Sequence, residues 1–291
     1  MSTATHKKKK EKIGLVLTGG GMRCAYSAGA LLALADVHHF TEPYAIAAES
    51  GSAGNAFYYM AKQYDLARTV WLDYLTSERF IKSNMNIDID YLIDTIFKKK
   101  VPLDIAMLER TKTKYFVPIA NSSTGVVEFA TNTSPYDYYE ILRAAKALPI
   151  VYGKKVRLGL KTFIDGGMAE SIADLAQKVL STGVTSLITI NCEPPRRDTL
   201  SKVFLRAEAL KAKPGLRRAL LRDLAIPPGL CPTNVSARAY CIQPSRPLAV
   251  KTLTRTKSAI SDAFNLGYAD VAESPELQAL FGTTYEPHTR K

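Results

Sequence analysis

The chain has 291 residues, which is enough to bury one large hydrophobic core. Its hydrophobic content of 46% and charged content of 23% are ordinary for a soluble globular protein, and no apolar run approaches the ~18 residues that cross a bilayer. Lys and Arg number 39 against 27 Asp and Glu. The resulting net charge of +12 favours an anionic partner, either nucleic acid or membrane headgroups.

The cysteines and the N-terminal segment indicate a reducing compartment. Four cysteines form no CxxC pair and no zinc-ligand spacing: Cys24, Cys192, Cys231 and Cys241. We therefore expect separate thiols and no bound metal. Residues 1–12 are polar and basic, and the apolar run that follows them is too short for a signal peptide. We predict a basic tail over 1–12, a second tail over 283–291, and a cytoplasmic location.

Short apolar runs alternate along the chain with segments of helical periodicity. The runs predict strands over Ile13–Leu17, Ala45–Ala48, Tyr115–Ala120, Val126–Ala130 and Ser186–Asn191. The periodic segments predict helices over Arg23–His39, Asn55–Lys62, Tyr136–Ala147, Ser171–Thr182 and Thr256–Glu273. Strands that alternate with helices indicate an α/β domain with a largely parallel sheet, and we place this single domain over residues 13–282.

A basic segment interrupts this alternation. Nine basic and three acidic residues lie between Arg196 and Asp223, interleaved with leucines. We predict an inserted helical flap over 196–230 rather than a second domain. Basic amphipathic helices bind anionic membranes, so the flap is the predicted site of peripheral membrane contact; the alternative is a solvated face that packs on the core through its leucines. No nucleic-acid docking motif is present, and we predict no nucleic-acid partner.

The segment Ser50–Gly54, with the sequence SGSAG, lies between a predicted strand and a predicted helix. A nucleophile elbow needs this pattern, because the turn is so tight that the residues two positions either side of the serine must be small. We predict Ser52 as the nucleophile, with Ser50 standing where such elbows usually have glycine. The helix that follows directs its N–H groups and the positive end of its dipole toward the same point.

Three consecutive glycines, Gly19, Gly20 and Gly21, lie between the first predicted strand and the first predicted helix. Backbone N–H groups of such a loop can bind the oxyanion of an acyl-transfer intermediate. A dinucleotide fingerprint would need glycine at the position of Cys24, and no Gly-Lys-Ser/Thr follows to make a phosphate loop. The glycines therefore indicate an oxyanion hole.

The base that activates the serine is predicted to be a carboxylate, because the histidines are poorly placed. The four histidines are His6, His38, His39 and His288. Two lie in terminal segments, and the other two would lie ~23 Å along a helix from the glycine loop. Asp165 follows a short strand-like run and precedes two glycines, which would let its carboxylate approach another backbone. The alternative for Asp165 is an Asp-Gly hairpin turn.

Together the three motifs resemble those of the patatin-like phospholipases, whose signature is GGGxR, GxSxG and DG[GA]. The chain has TGGGMR at 18–23, SGSAG at 50–54 and DGG at 165–167, in this order. The resemblance covers essentially the whole chain after residue 12 and implies a three-layer α/β/α fold. It implies Ser52 as nucleophile, Asp165 as base, an oxyanion hole at Gly19, Gly20, Gly21 and Met22, and Arg23 as a substrate-binding neighbour.

Two residues depart from the family pattern: Ser50 replaces the elbow glycine, and Lys146 stands where a small residue is expected. The resemblance implies hydrolysis of ester bonds in acyl lipids or phospholipids through an acyl-enzyme, without a cofactor or metal. Two other functions stay open. One is a lipid- or membrane-binding protein that has lost activity through Ser50, and the other is an acyltransferase that uses the same intermediate. The sequence indicates no particular oligomeric state.

Overall fold

The computed structural model of the chain describes residues 11–149, 151–194, 199–225, 229–232 and 235–285. Residues 1–10 and 286–291 of the predicted tails lie outside these residues, as do residues 196–198 and 226–228 of the predicted flap. None of the helices within the described ranges has the length and apolar character that a membrane span needs.

A mixed sheet of eight strands forms the centre of the described fold. The strands are β1 (Ile13–Leu17), β2 (Ala45–Ala48), β3 (Lys114–Asn121), β4 (Val127–Ala130), β5 (Val156–Leu158), β6 (Lys161–Asp165), β7 (Ser186–Ile190) and β8 (Arg238–Ile242). Their order is β5-β6-β3-β2-β1-β7-β8, with β4 also paired to β3. The five strands β3, β2, β1, β7 and β8 are parallel, whereas β4 and β6 run antiparallel to β3. The predicted largely parallel sheet is confirmed.

Helices cover both faces of this sheet. They are α1 (Ala25–Asp36), α2 (Ser50–Met60), α3 (Tyr64–Thr69), α4 (Ile105–Arg110), α5 (Tyr138–Ala144), α6 (Ile172–Leu180), α7 (Thr199–Lys211), α8 (Pro214–Ala225), α9 (Lys257–Ala272) and α10 (Pro275–Phe281). Leu15 and Leu17 pack with α1, α2 and α9 on one face, whereas Val16 packs with α6 on the other. This division follows from the two-residue repeat of a strand, and burial on both faces explains why β1 is apolar throughout. The predicted three-layer α/β/α fold is confirmed.

The pairing of β3 brings the end of β6 near the end of β2. Ala47 of β2 pairs with Phe116 of β3, and β2 ends one residue later, at Ala48. Ile119 pairs with Asp165, the last residue of β6. An antiparallel strand thereby delivers an acidic side chain to the edge where β1 and β2 end, which is the edge at which open α/β sheets bind ligands.

The predicted flap contains the helices α7 and α8, which pack beside the end of β6. Leucines on their inner faces join Ile164 and Met168 in one apolar cluster. At the turn between the two helices, Gly215 lies so near the β3–β4 turn that a Cβ there would be 2.1 Å from the carbonyl oxygen of Thr124. The two helices therefore cover the sheet next to Asp165.

Two features differ from the sequence prediction. Cys231 and Cys241 form a disulfide, so the expectation of four separate thiols is wrong; the pair is ten residues apart and belongs to no recognisable motif. The segments Val70–Tyr74 and Tyr91–Lys100 are π-helical and were not predicted as elements. Their apolar residues pack against α2 in the main core, so tertiary contacts stabilise them.

Candidate active site

Strand β2 turns sharply into helix α2 at Ser50. Ser50 is the first residue of α2 and has φ 47°, in the left-handed region that non-glycine residues rarely adopt. The next residue must be glycine, because a Cβ on Gly51 would lie 2.9 Å from the sulfur of Cys24. A serine held in a strained turn between a strand and a helix is the arrangement of a nucleophile elbow. The structure thus presents Ser50 at the turn.

Ser52 lies inside the first turn of α2 and is completely buried. Its hydroxyl donates to the carbonyl oxygen of Thr18 at 2.7 Å and lies 2.8 Å from Oγ of Ser27. No hydrogen bond between the described residues joins it to Asp165. The structure therefore places the hydroxyl of Ser52, the nucleophile predicted from the sequence, within the core. Because α2 begins at Ser50, the side chain at position 52 points back toward β1.

Asp165 ends β6 and lies beside Ser50. Its Oδ1 atom accepts a hydrogen bond from the N–H of Gly167 at 3.0 Å, and its side chain is buried. Burial raises the pKa of the carboxyl to about 6, whereas hydrogen bonding from Ser50 and Gly167 and the positive charge of Lys146 act to lower that pKa. A carboxylate with a pKa this close to neutral is a better proton acceptor than free aspartate.

The contact between Ser50 and Asp165 is looser than a full hydrogen bond. The second carboxylate oxygen, Oδ2, is buried and has no hydrogen-bond partner of good geometry among the described residues. Catalytic hydrogen bonds are often long in the absence of substrate and tighten in the complex. Oδ2 is therefore the atom that can accept the proton of the Ser50 hydroxyl.

The glycine loop between β1 and α1 lies beside the elbow. The N–H of Gly19 donates to Oε2 of Glu49 at 2.9 Å, and the N–H of Met22 donates to a backbone carbonyl before α9 at 3.0 Å. The hydrogen bonds of the described residues leave the N–H groups of Gly20 and Gly21 without an acceptor. Of the four predicted oxyanion-hole residues, these two retain donors that can bind an oxyanion.

Arg23 follows the glycine loop immediately before α1. Its Nε atom is buried without a hydrogen-bond partner among the described residues and lies 3.5 Å from where a Cβ on Gly20 would be. The Arg23 side chain thus lies against the loop, and its Nε–H group is available to donate a hydrogen bond. Substrate binding by Arg23 stays a prediction. Behind the loop, the sulfurs of Cys24 and Cys192 are 4.0 Å apart.

Lys146, which the sequence marked only as a departure from the family pattern, lies within the site. Its Nζ donates to the carbonyl oxygen of Ser50 at 2.6 Å, and its side chain is buried. Burial lowers the pKa of the ammonium group to about 8, whereas the charge of Asp165 acts to raise that pKa. The sequence offered no signal for this contact beyond a lysine at a position where a small residue was expected.

An apolar pocket adjoins the elbow. Ser50, Gly21 and Lys146 contribute to its lining. Most of the remaining wall is hydrocarbon, from Tyr58, Val70, Trp71, Leu75, Phe80, Ile87, Ile89, Leu92 and Phe97. An apolar wall with few polar groups beside Ser50 suits the hydrocarbon part of an acyl group.

The histidines of the described chain lie apart from this site. The ring nitrogens of His38 are bonded to Thr283 and to the carbonyl oxygen of Val271, and His39 is exposed. His6 and His288 lie outside the described residues. Among the residues that the structure describes, no group of three or more His, Cys, Asp and Glu side chains could hold a metal ion.

Two known proteins are similar to this chain along most of its length. The uncharacterized protein YjjU of Escherichia coli (strain K12) is 23% identical over 277 residues, which cover 88% of this chain and 75% of that protein. The crystal structure of VipD from Legionella pneumophila matches with a TM-score of 0.51 and 13% identity, covering 92% of this chain and 67% of the VipD chain. At that identity the likeness to VipD shows a common fold alone.

The family assignment comes from the sequence of the first half of the chain. A family model of patatin-like phospholipases matches residues 15–173, which is more than half of the chain. The matched range holds the glycine loop, the elbow and Asp165. Members of this family generally hydrolyse lipid esters. The chain belongs to the patatin-like phospholipase family.

Proposed function

We propose that this protein is a serine acyl hydrolase that cleaves ester bonds of lipids, with Ser50 as nucleophile and Asp165 as base. The observation that carries the proposal is the position of Ser50, whose strained turn lies beside the Asp165 carboxylate and lines an apolar cavity. Ser50 takes the role predicted for Ser52, whose hydroxyl is engaged in the core. The elbow then reads Ala48-Glu49-Ser50-Gly51-Ser52, with a small residue two positions either side of the nucleophile.

In the acylation step, Oγ of Ser50 attacks the ester carbonyl carbon while its proton passes to Oδ2 of Asp165. The carbonyl electrons move onto the oxygen, and the N–H groups of Gly20 and Gly21 stabilise the resulting oxyanion. When this tetrahedral intermediate collapses, the alcohol leaves with the proton from Asp165. The acyl group remains as an ester on Ser50.

In the deacylation step, water attacks the acyl carbonyl carbon and gives a proton to Asp165. The second oxyanion occupies the same two N–H groups, and its collapse breaks the bond to Ser50. The proton held by Asp165 returns to Oγ of Ser50, and the fatty acid leaves. The cycle uses only side-chain and backbone groups of the chain.

The apolar lining of the pocket supports an acyl lipid as substrate. Each methylene that moves from water into such a cavity contributes ~0.8 kcal/mol to binding. A short ester would leave most of the apolar wall uncovered. We therefore expect kcat/KM to rise with acyl length until the cavity is filled.

The proposal extends to peripheral contact with anionic membranes through a tip surface, defined as Val126, Leu160, Leu210, Lys211 and Lys213. Leu160 is 96% exposed and Leu210 is 75% exposed, whereas the leucines on the inner faces of α7 and α8 are buried. The contact of Gly215 with Thr124 brings the α7–α8 and β3–β4 turns together. Exposed aliphatic side chains flanked by lysines favour an anionic bilayer surface.

The decisive experiment compares Ser50→Ala with Ser52→Ala. Each protein is treated with a fluorophosphonate probe, the labelled residue is located by mass spectrometry, and fatty-acid release from mixed phospholipid vesicles is measured. We expect wild type to be labelled at Ser50 and Ser50→Ala to be unlabelled and inactive. Ser52→Ala should still be labelled at Ser50. Labelling of Ser50→Ala and not of Ser52→Ala would return the nucleophile to Ser52.

Two further outcomes separate the other functions. A wild-type protein that binds vesicles but neither reacts with the probe nor releases fatty acid is a lipid-binding protein on a hydrolase fold. Product analysis with added glycerol or lysolipid tests for acyl transfer, because an acyltransferase would form the new ester at the expense of free fatty acid.

A further inference from the structure

Lys146 contacts both sides of the proposed catalytic pair. Its Nζ donates to the carbonyl oxygen of Ser50 at 2.6 Å. The neighbouring carbonyl oxygen, that of Ala147, accepts the N–H of Asp165 at 3.1 Å. Two consecutive residues therefore bind the nucleophile turn through a side chain and the base through the backbone.

Helix α5 fixes the position from which Lys146 reaches the site. Arg143, on the last turn of α5, bonds to Asp90 and to Asp94, and to Glu140 one turn earlier. The Arg143 side chain is only 10% exposed, and these bonds hold α5 against the segment Tyr91–Lys100. Lys146 lies two residues after the end of α5, so the contacts that hold α5 also fix the backbone of Lys146.

A buried lysine at this point is costly unless it has a specific role. Removing an ammonium group from water costs several kcal/mol, which its partners must offset. Here the partners are the carbonyl oxygen of Ser50 and the charge of Asp165. An apolar or small side chain would fill the same space without that cost, so packing does not account for lysine.

We propose that Lys146 is a positioning residue of this active site, which fixes the turn of Ser50 through its carbonyl oxygen and keeps Asp165 ionised through its charge. The inference rests on the proposed function, because it assigns Lys146 a task only if Ser50 and Asp165 react. Lys146 itself exchanges no proton with the substrate. Its effect passes through the two residues that do.

The charge of Lys146 has a measurable consequence at acidic pH. Burial raises the pKa of Asp165 to about 6, and the positive charge of Lys146 opposes this rise. Without that charge, Asp165 would hold its proton to a higher pH and lose its function as a base. The other charged or titratable groups around the pair are Cys24 and Arg23 next to the glycine loop, Glu49 at the elbow, and Glu193 after β7.

The test measures the rate of Ser50 labelling by a fluorophosphonate probe from pH 4.5 to pH 8, alongside kcat and KM for a soluble p-nitrophenyl acyl ester. In wild type the rate should rise through a pH of about 6, where Asp165 ionises. In Lys146→Met the midpoint of this increase in labelling rate should shift to higher pH by about one unit, as expected for loss of a neighbouring opposite charge. The plateau should fall about 10-fold or more through kcat rather than KM, because the elbow is less well positioned.

Lys146→Arg is the matched variant, because it keeps the positive charge. In this variant the labelling rate should increase with the same midpoint pH as in wild type. A Lys146→Met profile that coincides with wild type, or an Arg variant that shifts like the Met variant, would overturn the assignment while leaving the proposed function intact. Should Lys146→Met fail to fold by circular dichroism, Lys146→Gln gives the same comparison. A wild-type protein that is not labelled at any pH would overturn the proposed function itself.

Discussion

The N–H of Gly19 donates a hydrogen bond of 2.9 Å to Oε2 of Glu49. Glu49 is the residue immediately before Ser50 and is buried. One side chain therefore joins the start of the glycine loop to the start of the elbow, and it helps to set the distance between the proposed oxyanion donors and the proposed nucleophile.

Replacing Glu49 with Ala should separate these two elements. We expect kcat for a p-nitrophenyl acyl ester to fall ~10–100-fold with little change in KM, because oxyanion donors act mainly in the transition state. Glu49→Gln is the control, since it keeps a carbonyl oxygen that can accept the Gly19 N–H and should retain most of the activity. Equal losses in both variants would show that the charge of Glu49, rather than the hydrogen bond, is what matters.

The glycine loop also makes a specific steric prediction. Gly21 and Gly183 both have positive φ, at 60° and 83°. A Cβ on Gly21 would lie 2.5 Å from the carbonyl oxygen of Thr252, whereas a Cβ on Gly183 would meet nothing within 4 Å. For Gly183→Ala we therefore expect the free energy of unfolding to fall by only ~1 kcal/mol, which is the cost of placing a residue with a Cβ at positive φ. Gly21→Ala should lose ~2 kcal/mol or more in urea unfolding, because of the added clash, together with esterase activity.

Equal stability of these two alanine variants would count against the structure of the loop. It would mean that the backbone can move away from Thr252 without loss. Activity of Gly21→Ala at the wild-type level would exclude Gly21 from the oxyanion hole.

Asp165→Asn should change the pH dependence of stability. Burial raises the pKa of this carboxyl in the folded protein from 3.8 to about 6, so the folded state holds the proton more tightly than the unfolded state. The stabilisation is complete below about pH 4 and is lost as the pH rises through about 6. The Asn variant carries no such proton. Relative to wild type, its free energy of unfolding should therefore gain ~3 kcal/mol between about pH 4 and about pH 7.

Urea unfolding of both proteins across this pH range measures the difference directly. The remaining carboxyls are common to the two proteins, so their contributions cancel. A difference that stays constant with pH would show that Asp165 titrates normally in the folded protein, and the case for it as a base would weaken.

The tip surface predicts a salt-sensitive binding of anionic vesicles. Each lysine near an anionic bilayer contributes about 1 kcal/mol, so Lys211→Gln with Lys213→Gln should weaken binding ~30-fold. Lys99→Gln with Lys100→Gln is a charge-matched control on a different element, and it should bind as wild type does. Sedimentation with vesicles that contain phosphatidylserine measures the dissociation constant of each double variant. Equal weakening by both pairs would mean that net charge alone, and not this surface, attracts the membrane.

The elements of the site could largely be predicted from sequence, but motif spacing could not choose between Ser50 and Ser52 as the candidate nucleophile. The strands Ile13–Leu17 and Ala45–Ala48 were predicted with the bounds the structure shows, because each apolar run stops abruptly at a polar residue. Both serines of the elbow have small residues two positions away, so the pattern fits either one. The end of β2 distinguishes the two serines. The serine of an elbow lies just after its strand, and Ser50 lies closer to the end of β2 than Ser52 does.

Contacts between distant parts of the chain account for what the sequence left out. Lys146 and Ser50 are 96 residues apart, and no local pattern links a lysine after one helix to a carbonyl at the start of another. The same holds for Gly19 and Met22, whose N–H groups were predicted to serve the oxyanion and are instead bonded within the protein. Glycine patterns show where a backbone can approach a substrate, and the folded neighbours decide which donors remain available.

Because β6 pairs with β3, the position of Asp165 does not depend on the length of the turn between β5 and β6. Asp165 lies opposite Ile119 of β3, beyond the point where β3 pairs with the end of β2, because of strand pairing. The hairpin turn at Gly159-Leu160 lies at the far end of β6, with Leu160 almost fully in solvent. Insertions in that turn should leave the acid where it is, whereas deletion of a single residue within β6 would rotate Asp165 to the opposite side of the sheet. Homologous chains can therefore vary in hairpin length and still present the same pair of reacting groups.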